Sequence, residues 1–503
     1  MDFVRNFPLF TIVLSLFSGV LCTMLRGKAA RRYTIAYECV LLALVSAVLA
    51  YTLRTGESFT YVMGEFPAPW GNEIRAGVLE ALVALVFLVI LLCAVLGGWH
   101  FLRIDVEESK INLFFALLNL MTAALMALVW TNDVFTGYVF LEILTLSSCG
   151  LIIAREIGRT TLAAVRYMIL NLLGSGLFLL GVVLLYNLTG QLLMVPMQSA
   201  VAEIAAGGAA TPLTFALVIL TIGIGIKSGM FPFYFWMPDT YGSATPTAAV
   251  LLSGLVSKGY IFLLLKIYDR AIGLEVFETL PLRYVLLILG ALGMAFGSVA
   301  AIRAKSVNRM VAFSSAAQIG YIYLGLGLGG TLGYAAAMFQ IIVHAVTKAL
   351  LFLTTPRLAE VSGNSLLFKN LQGSGRRAKD AGLFFTAASF SMVGIPIFAG
   401  FAAKLFFAIA AAERGNVPAL ALVMAALAVS SVLNAVYFIR TVIRVYTAGR
   451  GGTDLSPPEP ADTPSGRAAY RLSAAVLMAC NLFLGLFSWV VMDLVAQGLA
   501  MFG

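Results

Sequence analysis

Apolar runs of about twenty residues recur from one end of the chain to the other, and they restrict the possible fold more than any other feature. An apolar helix of about twenty residues crosses the hydrocarbon core of a bilayer, whereas membrane β-strands are about half as long and alternate in polarity. Only 11% of the 503 residues are charged, against about 25% in a soluble chain. The sequence therefore excludes a soluble enzyme and a β-barrel, and it predicts an all-α polytopic membrane protein.

The apolar runs divide into fourteen predicted membrane spans. They lie near residues 7–25, 33–53, 77–98, 111–130, 134–154, 161–187, 212–237, 244–265, 284–302, 308–326, 332–355, 381–412, 417–439 and 472–501.

Two of these spans contain residues that break helices. The seventh contains Gly229 and Pro232, and the twelfth contains Gly394, Pro396 and Gly400. Paired interrupted spans in two parts of a chain are typical of inverted repeats with transport sites at the breaks. We therefore predict discontinuous helices seven and twelve within two inverted five-helix repeats.

The predicted domain organisation has five parts. An N-terminal three-helix segment (1–110) precedes the first repeat (111–270, spans 4–8) and the second repeat (271–450, spans 9–13). A Pro-rich polar stretch (451–467) is predicted to be a flexible cytoplasmic linker, and a C-terminal helix (468–503) follows.

The positive charges predict the orientation. The net charge is +9, and alternating the fourteen spans places 22 Lys and Arg residues on one side and 7 on the other, with four inside spans. Cytoplasmic loops carry the excess of Lys and Arg, so both termini are predicted to lie outside a bacterial or archaeal cell membrane. This distribution explains the charge without nucleic acid. The basic residues follow the first apolar run, which favours an uncleaved helix over a signal peptide.

Cysteine and histidine usage argues against a cofactor in this chain. The five cysteines are isolated and form no C-x-x-C motif, and the only histidines are His100 and His344. A cluster, a zinc site or bis-histidine haem ligation would need more closely spaced ligands. We expect no cofactor in this subunit, although a quinone pocket stays open.

Ionisable residues within the predicted spans are the main functional signal. Each costs about 2.5–3.5 kcal/mol on insertion scales, so six of them cost on the order of 15–20 kcal/mol before pairing. Glu142 is interpreted as the only carboxylate in the middle of a predicted span. The six residues are Glu142, Lys227, Lys258, His344, Lys348 and Lys404.

Each of these residues also has a purely structural interpretation. Glu142 could be hydrogen-bonded for packing alone, and Lys227 could cap carbonyls freed by the break. Lys258 could reach the membrane surface through its long side chain, as we expect for Lys266 and Arg270. His344 and Lys348 share one helix face at i,i+4 spacing, which favours a short relay over an isolated core histidine.

The residue chemistry favours protons over sodium ions. Burial disfavours a charged lysine and a nearby carboxylate favours it, so a Glu–Lys pair can hold a proton when closed and release it when open. A sodium site would need several converging oxygen atoms, and Glu142 is the only mid-span carboxylate counted.

Five segments resemble segments of one superfamily, and they occur in the same order along the chain. They are YVFLEILTLSSCGLI, GIKSGMFPFYFWMPDTYGSATPTAAVLLSGLVSKGYIFLLLK, MVAFSSAAQIGYI, HAVTKALLFL and SMVGIPIFAGFAAKLFF. The chain resembles the antiporter-like membrane subunits of respiratory complex I and the D-type subunit of Mrp Na⁺/H⁺ antiporters, with counterparts in membrane-bound nickel–iron hydrogenases. The resemblance covers roughly residues 110 to 445.

The resemblance implies a proton pathway and a set of partners. It assigns Glu142 and Lys227 to the ion pair of the family, Lys258 to the eighth helix, His344 and Lys348 to the central relay, and Lys404 to the second broken helix. It implies neighbouring membrane subunits and lipids, with iron–sulfur clusters or Na⁺ exchange located elsewhere in the complex.

Three other hypotheses stay open. They are a standalone secondary transporter, a membrane anchor of a quinone-reactive oxidoreductase, and a structural scaffold.

Overall fold

The computed structural model describes residues 2–66, 71–208, 210–447 and 462–502. It confirms the polytopic all-α prediction: thirteen helices in the described part are long and apolar enough to cross a membrane. The remaining predicted span, near 381–412, is divided into two helices of 15 residues each. Apart from this divided span, every predicted span corresponds to one of the thirteen.

The first half of the chain contains helices α1 to α12 and one β-hairpin. The helices are α1 Phe7–Met24, α2 Gly27–Thr55, α3 Val78–Gly97, α4 Trp99–Asp105, α5 Ile111–Trp130, α6 Val134–Ile153, α7 Gly158–Thr189, α8 Met194–Ala206, α9 Ala210–Ser228, α10 Met237–Ser243, α11 Pro246–Leu251 and α12 Ser257–Lys266. The strands β1 (Phe59–Val62) and β2 (Glu73–Ala76) pair antiparallel, with Phe59 opposite Ala76.

In the second half, all the extended secondary-structure elements among the described residues are helices. Its helices are α13 Leu274–Thr279, α14 Leu282–Arg303, α15 Val307–Leu328, α16 Gly330–Glu360, α17 Ser374–Arg377, α18 Lys379–Val393, α19 Ala399–Glu413, α20 Val417–Tyr446, α21 Pro464–Leu486 and α22 Ser488–Ala500. The π-helical segments Leu252–Val256 and Ile267–Ile272 join α11 and α12 into one continuous helix that extends to Ile272.

Helix α16 forms the centre of the bundle. It is 31 residues long and buried through its whole apolar length. It packs against the helices α3, α11, α15, α18, α19, α21 and α22. A helix hydrophobic all round is expected at such a position, and any polar residue on α16 is therefore placed in the protein interior.

Small residues let the neighbouring helices α14 and α15 approach closely. A Cβ added at Gly290 would lie 2.4 Å from the Leu324 backbone nitrogen, and one at Gly297 would lie 2.7 Å from that of Ala317. Small residues at helix interfaces are the usual means of close packing in membranes. These two glycines fix α14 against α15, which in turn lies against α16.

The end of the chain differs from the prediction. Residues 451–461 of the predicted linker 451–467 lie outside the described residues. The last four residues of the linker form the first turn of α21. The Thr463 side chain accepts a hydrogen bond from the Gly466 amide and Pro464 occupies the first helical position, which together start a helix. The predicted span 472–501 is also two helices, because the chain bends at Phe487 between α21 and α22.

Candidate functional site

Glu142 and Lys227 lie together between α6 and α9. The Lys227 Nζ is 3.9 Å from the Glu142 Oε1, and it donates a hydrogen bond of 2.7 Å to the Thr145 Oγ1 one turn along α6. The Lys227 side chain is fully buried, whereas that of Glu142 is 21% exposed. The ammonium is therefore held by a hydroxyl, and the carboxylate stands just beyond direct contact.

A second hydroxyl extends this pair towards α12. The Thr145 Oγ1 is 3.1 Å from the Tyr260 hydroxyl, and the Lys227 Nζ lies 5.4 Å from the centre of the Tyr260 ring. Tyr260 is two residues from Lys258 on the same helix. A short chain of polar groups thus leads from the ion pair to the next lysine-bearing helix.

Lys258 is the second residue of α12, which follows a π-helical segment. Its ammonium donates to the Ser253 carbonyl and, at 3.2 Å, to the Ser257 Oγ. The lysine is fully buried, so it does not reach the membrane surface. Single π turns inside α-helices occur frequently at functional sites, and here the turn supplies the carbonyl that binds the ammonium.

His344 and Lys348 project from the middle of α16. The Lys348 Nζ donates to the Val311 carbonyl at 2.9 Å and to the Ser314 Oγ, both on α15. Within the described part of the chain, neither ring nitrogen of His344 has a hydrogen-bond partner. A buried imidazole without partners is free to exchange a proton with a neighbouring group or a water molecule.

The Lys258 helix packs on α16 close to these residues. A Cβ added at Gly254, in the π-helical segment, would lie 3.5 Å from the Ala345 carbonyl oxygen. Ala345 is the neighbour of His344 in the chain. The structure therefore places the two lysine-bearing helices side by side, although no hydrogen bond joins Lys258 to His344 or Lys348.

Lys404 of α19 binds the C-terminal end of the preceding helix, α18. Its Nζ lies 2.5 Å from the Val393 carbonyl oxygen, at the last residue of α18, and 2.9 Å from the Ser431 Oγ of α20. His344 and Lys404 line one narrow cavity together with Gln318, Gln340 and Tyr321. Polar side chains therefore occupy the gap between the central relay and the second broken helix.

The two helix breaks place lysines in similar surroundings. Lys227 lies in the last turn of α9, and the Lys404 ammonium lies at the last carbonyl of α18. A helix C-terminus carries partial negative charge and favours a cation. Gly229 and Gly394, with φ of +78° and +91°, end the two first halves in the left-handed region, where glycine is the default residue.

Both prolines predicted to break helices lie in the non-helical segments, but the predicted break residue Gly400 lies in a helix. Pro232 and Pro396 follow the two glycines, whereas Gly400 is the second residue of α19. A Cβ at Gly400 would lie 1.8 Å from the Ser391 carbonyl oxygen. Gly400 is thus required by close packing between the two halves rather than by the break itself.

The prediction for Lys266 and Arg270 is wrong. Both are buried: the Lys266 ammonium donates to the Val129 carbonyl at 2.8 Å and to that of Thr131, which cap the end of α5. Arg270 donates to the Asn132 Oδ1 at 3.0 Å and to the Phe502 carbonyl at 2.8 Å. The C-terminal turn and the β-hairpin cover this end of the bundle, so neither side chain has a path to the surface.

Two buried carboxylates were missed. Glu38 is 1% exposed within α2, and Glu80 is fully buried in the first turn of α3, where it pairs with Arg75 at 2.5 Å. Both lie inside spans already predicted from hydropathy, and Glu38 contradicts the count of one mid-span carboxylate. Both lie in α2 and α3, which carry none of the six predicted residues.

Among the described residues, no group of three or more His, Cys, Asp or Glu side chains is placed to hold a metal ion. The expectation that this subunit has no cofactor stays a prediction. The chemistry available at the site is that of lysines, one histidine, one carboxylate and hydroxyl groups. These groups bind and transfer protons.

Comparisons with known proteins agree with the resemblance. Residues 131–432 match the family described as "NADH:quinone oxidoreductase/Mrp antiporter, TM". The chain is 30% identical over 508 residues to NADH-quinone oxidoreductase subunit N of Desulforudis audaxviator, covering 98% of both chains. It is 24% identical over 489 residues to the D-type subunit of a Na⁺/H⁺ antiporter of Bacillus subtilis, covering 97% and 95%.

A solved structure shows the same fold over the whole chain. The match is to the membrane-bound sulfane sulfur reductase, an archaeal respiratory membrane complex, with a TM-score of 0.84 and 26% identity over 100% of this chain and 97% of the other. Relatives of this chain therefore occur in several kinds of membrane complex.

Proposed function

Because this chain belongs to the family of membrane subunits shared by NADH:quinone oxidoreductases and Mrp antiporters, we propose that it transfers protons through the membrane as one subunit of a larger complex. The pathway runs from the Glu142–Lys227 pair through Lys258 to His344 and Lys348, and ends at Lys404. These six residues lie on five successive parts of the bundle: α6, α9, α12, α16 and α19.

The four pathway lysines carry this proposal. In the described part of the chain, Lys258, Lys348 and Lys404 contact carbonyl and hydroxyl oxygens but no carboxylate, and Lys227 has its carboxylate at 3.9 Å. A permanent charge without a counter-ion is expensive inside a membrane. Lysines that alternate between the charged and the neutral form avoid that cost for part of each cycle, and such alternation moves protons.

The parent complex is a separate part of the proposal. The relatives belong to quinone oxidoreductases and Na⁺/H⁺ antiporters, so the driving reaction is redox chemistry or sodium exchange in partner subunits. We place the protein in a bacterial or archaeal cell membrane with both termini outside, in contact with lipids and other membrane subunits. Purification of the intact complex with identification of its subunits and an iron assay distinguishes the two cases, since iron–sulfur proteins accompany only a redox-driven pump.

The pathway is tested by two substitutions in the native complex. Lys227→Ala removes the ammonium of the ion pair, and Glu142→Gln removes its counter-charge. Each substitution is expected to lower proton transfer at least tenfold in reconstituted vesicles while the complex still assembles. The matched control is Lys266→Met, which also removes a fully buried lysine but lies outside the pathway.

The control makes the result specific. Lys266→Met is expected to affect stability but to leave proton transfer per assembled complex within about twofold. Full proton transfer in both pathway variants would refute the proposal. Equal loss in all three variants would show that burial of any lysine matters, which would refute the assigned pathway.

A further inference from the structure

Glu38 is a carboxylate without a partner inside the N-terminal helices. It lies in α2, is 1% exposed, and neither of its oxygen atoms accepts a hydrogen bond from any described residue. No Lys, Arg or His side chain in the described part of the chain lies within ion-pair distance of it. This distinguishes Glu38 from Glu80, which is paired with Arg75.

Other oxygen atoms lie in the same seam between α1, α2 and α5. The Asn119 Nδ2 of α5 is 3.4 Å from the Thr34 Oγ1 and 3.2 Å from the Cys22 Sγ. Thr34 is one helical turn before Glu38 on α2, so both project to the same face. The Asn119 Oδ1 is buried and, among the described residues, also without a hydrogen-bond donor.

The position of Glu38 is bounded by neighbouring helices. Helix α2 packs against α1, α3 and α5. Asn119 and Thr34 are fully buried. The Glu38 carboxylate is therefore enclosed by the protein, and no basic side chain of the described residues pairs with it.

Ordinary packing does not account for this arrangement. The other polar groups of the seam are already paired: the Ser18 Oγ is 2.9 Å from the Tyr33 hydroxyl, and the Tyr37 hydroxyl donates to the Ser15 Oγ at 2.8 Å. These pairs hold α1 against α2 without Glu38. A buried polar group is normally hydrogen-bonded, so unpartnered oxygens on two adjacent helices indicate a missing positive group.

We propose that Glu38, with Thr34 and Asn119, forms a binding site for a small monovalent cation, at which Na⁺ and H⁺ compete. Carboxylate, amide and hydroxyl oxygens are ligands for hard cations. A single carboxylate balances one positive charge, which favours a monovalent ion over Ca²⁺ or Mg²⁺. When Na⁺ binds, the carboxyl proton leaves, so the net charge of the site is unchanged.

This site goes beyond the proton pathway proposed above. It lies on α2 and α5, which carry none of the six pathway residues. Its sodium dependence can therefore be measured whether or not Lys227 transfers protons.

The test uses dicyclohexylcarbodiimide, which modifies protonated carboxyl groups in apolar surroundings. The purified complex is treated at constant ionic strength, with NaCl replacing choline chloride, and modification of Glu38 is followed by mass spectrometry. We expect modification without Na⁺ and at least a fivefold slower rate in saturating Na⁺. Absence of modification in choline chloride, or a rate independent of Na⁺, would overturn the proposal.

Variants of the neighbouring residues make the test independent of folding defects at Glu38. Asn119→Leu is expected to keep the modification but to lose most of the Na⁺ protection. Thr122→Val is the matched control, because the Thr122 hydroxyl on the same helix donates a hydrogen bond of 3.0 Å to the Leu118 carbonyl. Protection should persist in this variant. Protection should also persist in Lys227→Ala, so this result and the proton-transfer result are separable. Unchanged protection in Asn119→Leu would contradict the assigned ligand set.

Discussion

The Lys227 ammonium shows how a single buried charge can be held without being fixed. Its direct partner is the Thr145 hydroxyl at 2.7 Å, and its carboxylate partner stands at 3.9 Å. A tight buried ion pair would hold the proton strongly, since both charges would stabilise each other in a medium of low dielectric constant. The looser arrangement suits a group that must release its proton during each cycle.

At the residue scale, Thr145→Val tests the hydroxyl that joins Lys227 to Tyr260. The substitution keeps the side-chain shape but removes a hydrogen bond to a charged group, worth about 1.5–3 kcal/mol. We expect proton transfer to fall about tenfold, since each 1.4 kcal/mol changes a rate by that factor. The measurement is proton transfer by the reconstituted complex.

The control for this substitution lies on the Lys227 helix. The Thr214 hydroxyl is bonded at 2.8 Å to the Ala210 carbonyl of its own helix. Thr214→Val should leave the rate within about twofold. If both threonine variants behave alike, Thr145 has no special place in the pathway.

At the element scale, the two broken helices depend on glycines whose backbone is left-handed. Gly394 has a φ of +91°, and a Cβ at this position would lie 2.9 Å from the Lys404 Nζ. The break thus brings a carbonyl-rich helix end and a lysine together in the apolar interior. Such irregular backbone is tolerated in a membrane only where the protein or water satisfies its polar groups.

Substitution of Gly394 by alanine should disturb both the backbone and Lys404. The left-handed conformation costs a residue with a Cβ about 1–2 kcal/mol, and the new methyl group displaces the ammonium. We expect Gly394→Ala to lower the thermal unfolding temperature and the proton-transfer rate together. Both are measured on the purified complex.

Gly176 offers a matched control in a regular helix. It lies in α7, and a Cβ there would meet no atom within 4 Å. Gly176→Ala should stabilise the helix by up to about 1 kcal/mol and leave transfer unchanged. A stable, fully active Gly394→Ala variant would show that the break does not need this conformation.

At the scale of the whole molecule, buried charges also tie the chain together at one end. Arg75 of β2 pairs with Glu80 of α3 and donates to the Met501 carbonyl near the C-terminus. The Phe502 ring lies 5.0 Å from the Arg75 guanidinium and 5.6 Å from that of Arg270. Segments far apart in sequence therefore close the same end of the bundle.

Removing Arg75 leaves Glu80 buried without its counter-charge. Breaking a buried pair in this way typically costs about 3–5 kcal/mol, so Arg75→Met should markedly lower the unfolding temperature in detergent. Arg471→Met is the control, because its pair with Asp380 is exposed and such pairs contribute about 0–1 kcal/mol. Similar unfolding temperatures for the two variants would contradict a stabilising role for the Arg75–Glu80 pair.

Much of the fold could be predicted because hydropathy is a local property. Each span is a run of apolar residues, and the glycines and prolines that interrupt two of them act on their own backbone. The site was predictable only as a set of residue types. Lys266 and Arg270 were misplaced, because their partners are far away in the sequence. Lys266 binds carbonyls at the end of α5, more than one hundred residues before it, and Arg270 binds the Phe502 carbonyl, more than two hundred residues after it.

The sequence by itself determined the all-α membrane architecture, the two helix breaks and the lysines and histidine inside the spans, but not the buried carboxylates Glu38 and Glu80. These follow from the cost of polar groups in hydrocarbon, which depends on composition within about twenty residues. Only the tertiary structure decided which charges have partners. Lys227 of α9 lies 3.9 Å from Glu142 of α6, whereas Glu38 has no cationic partner among the described residues. Pairing depends on distances between helices, and no single segment encodes those distances.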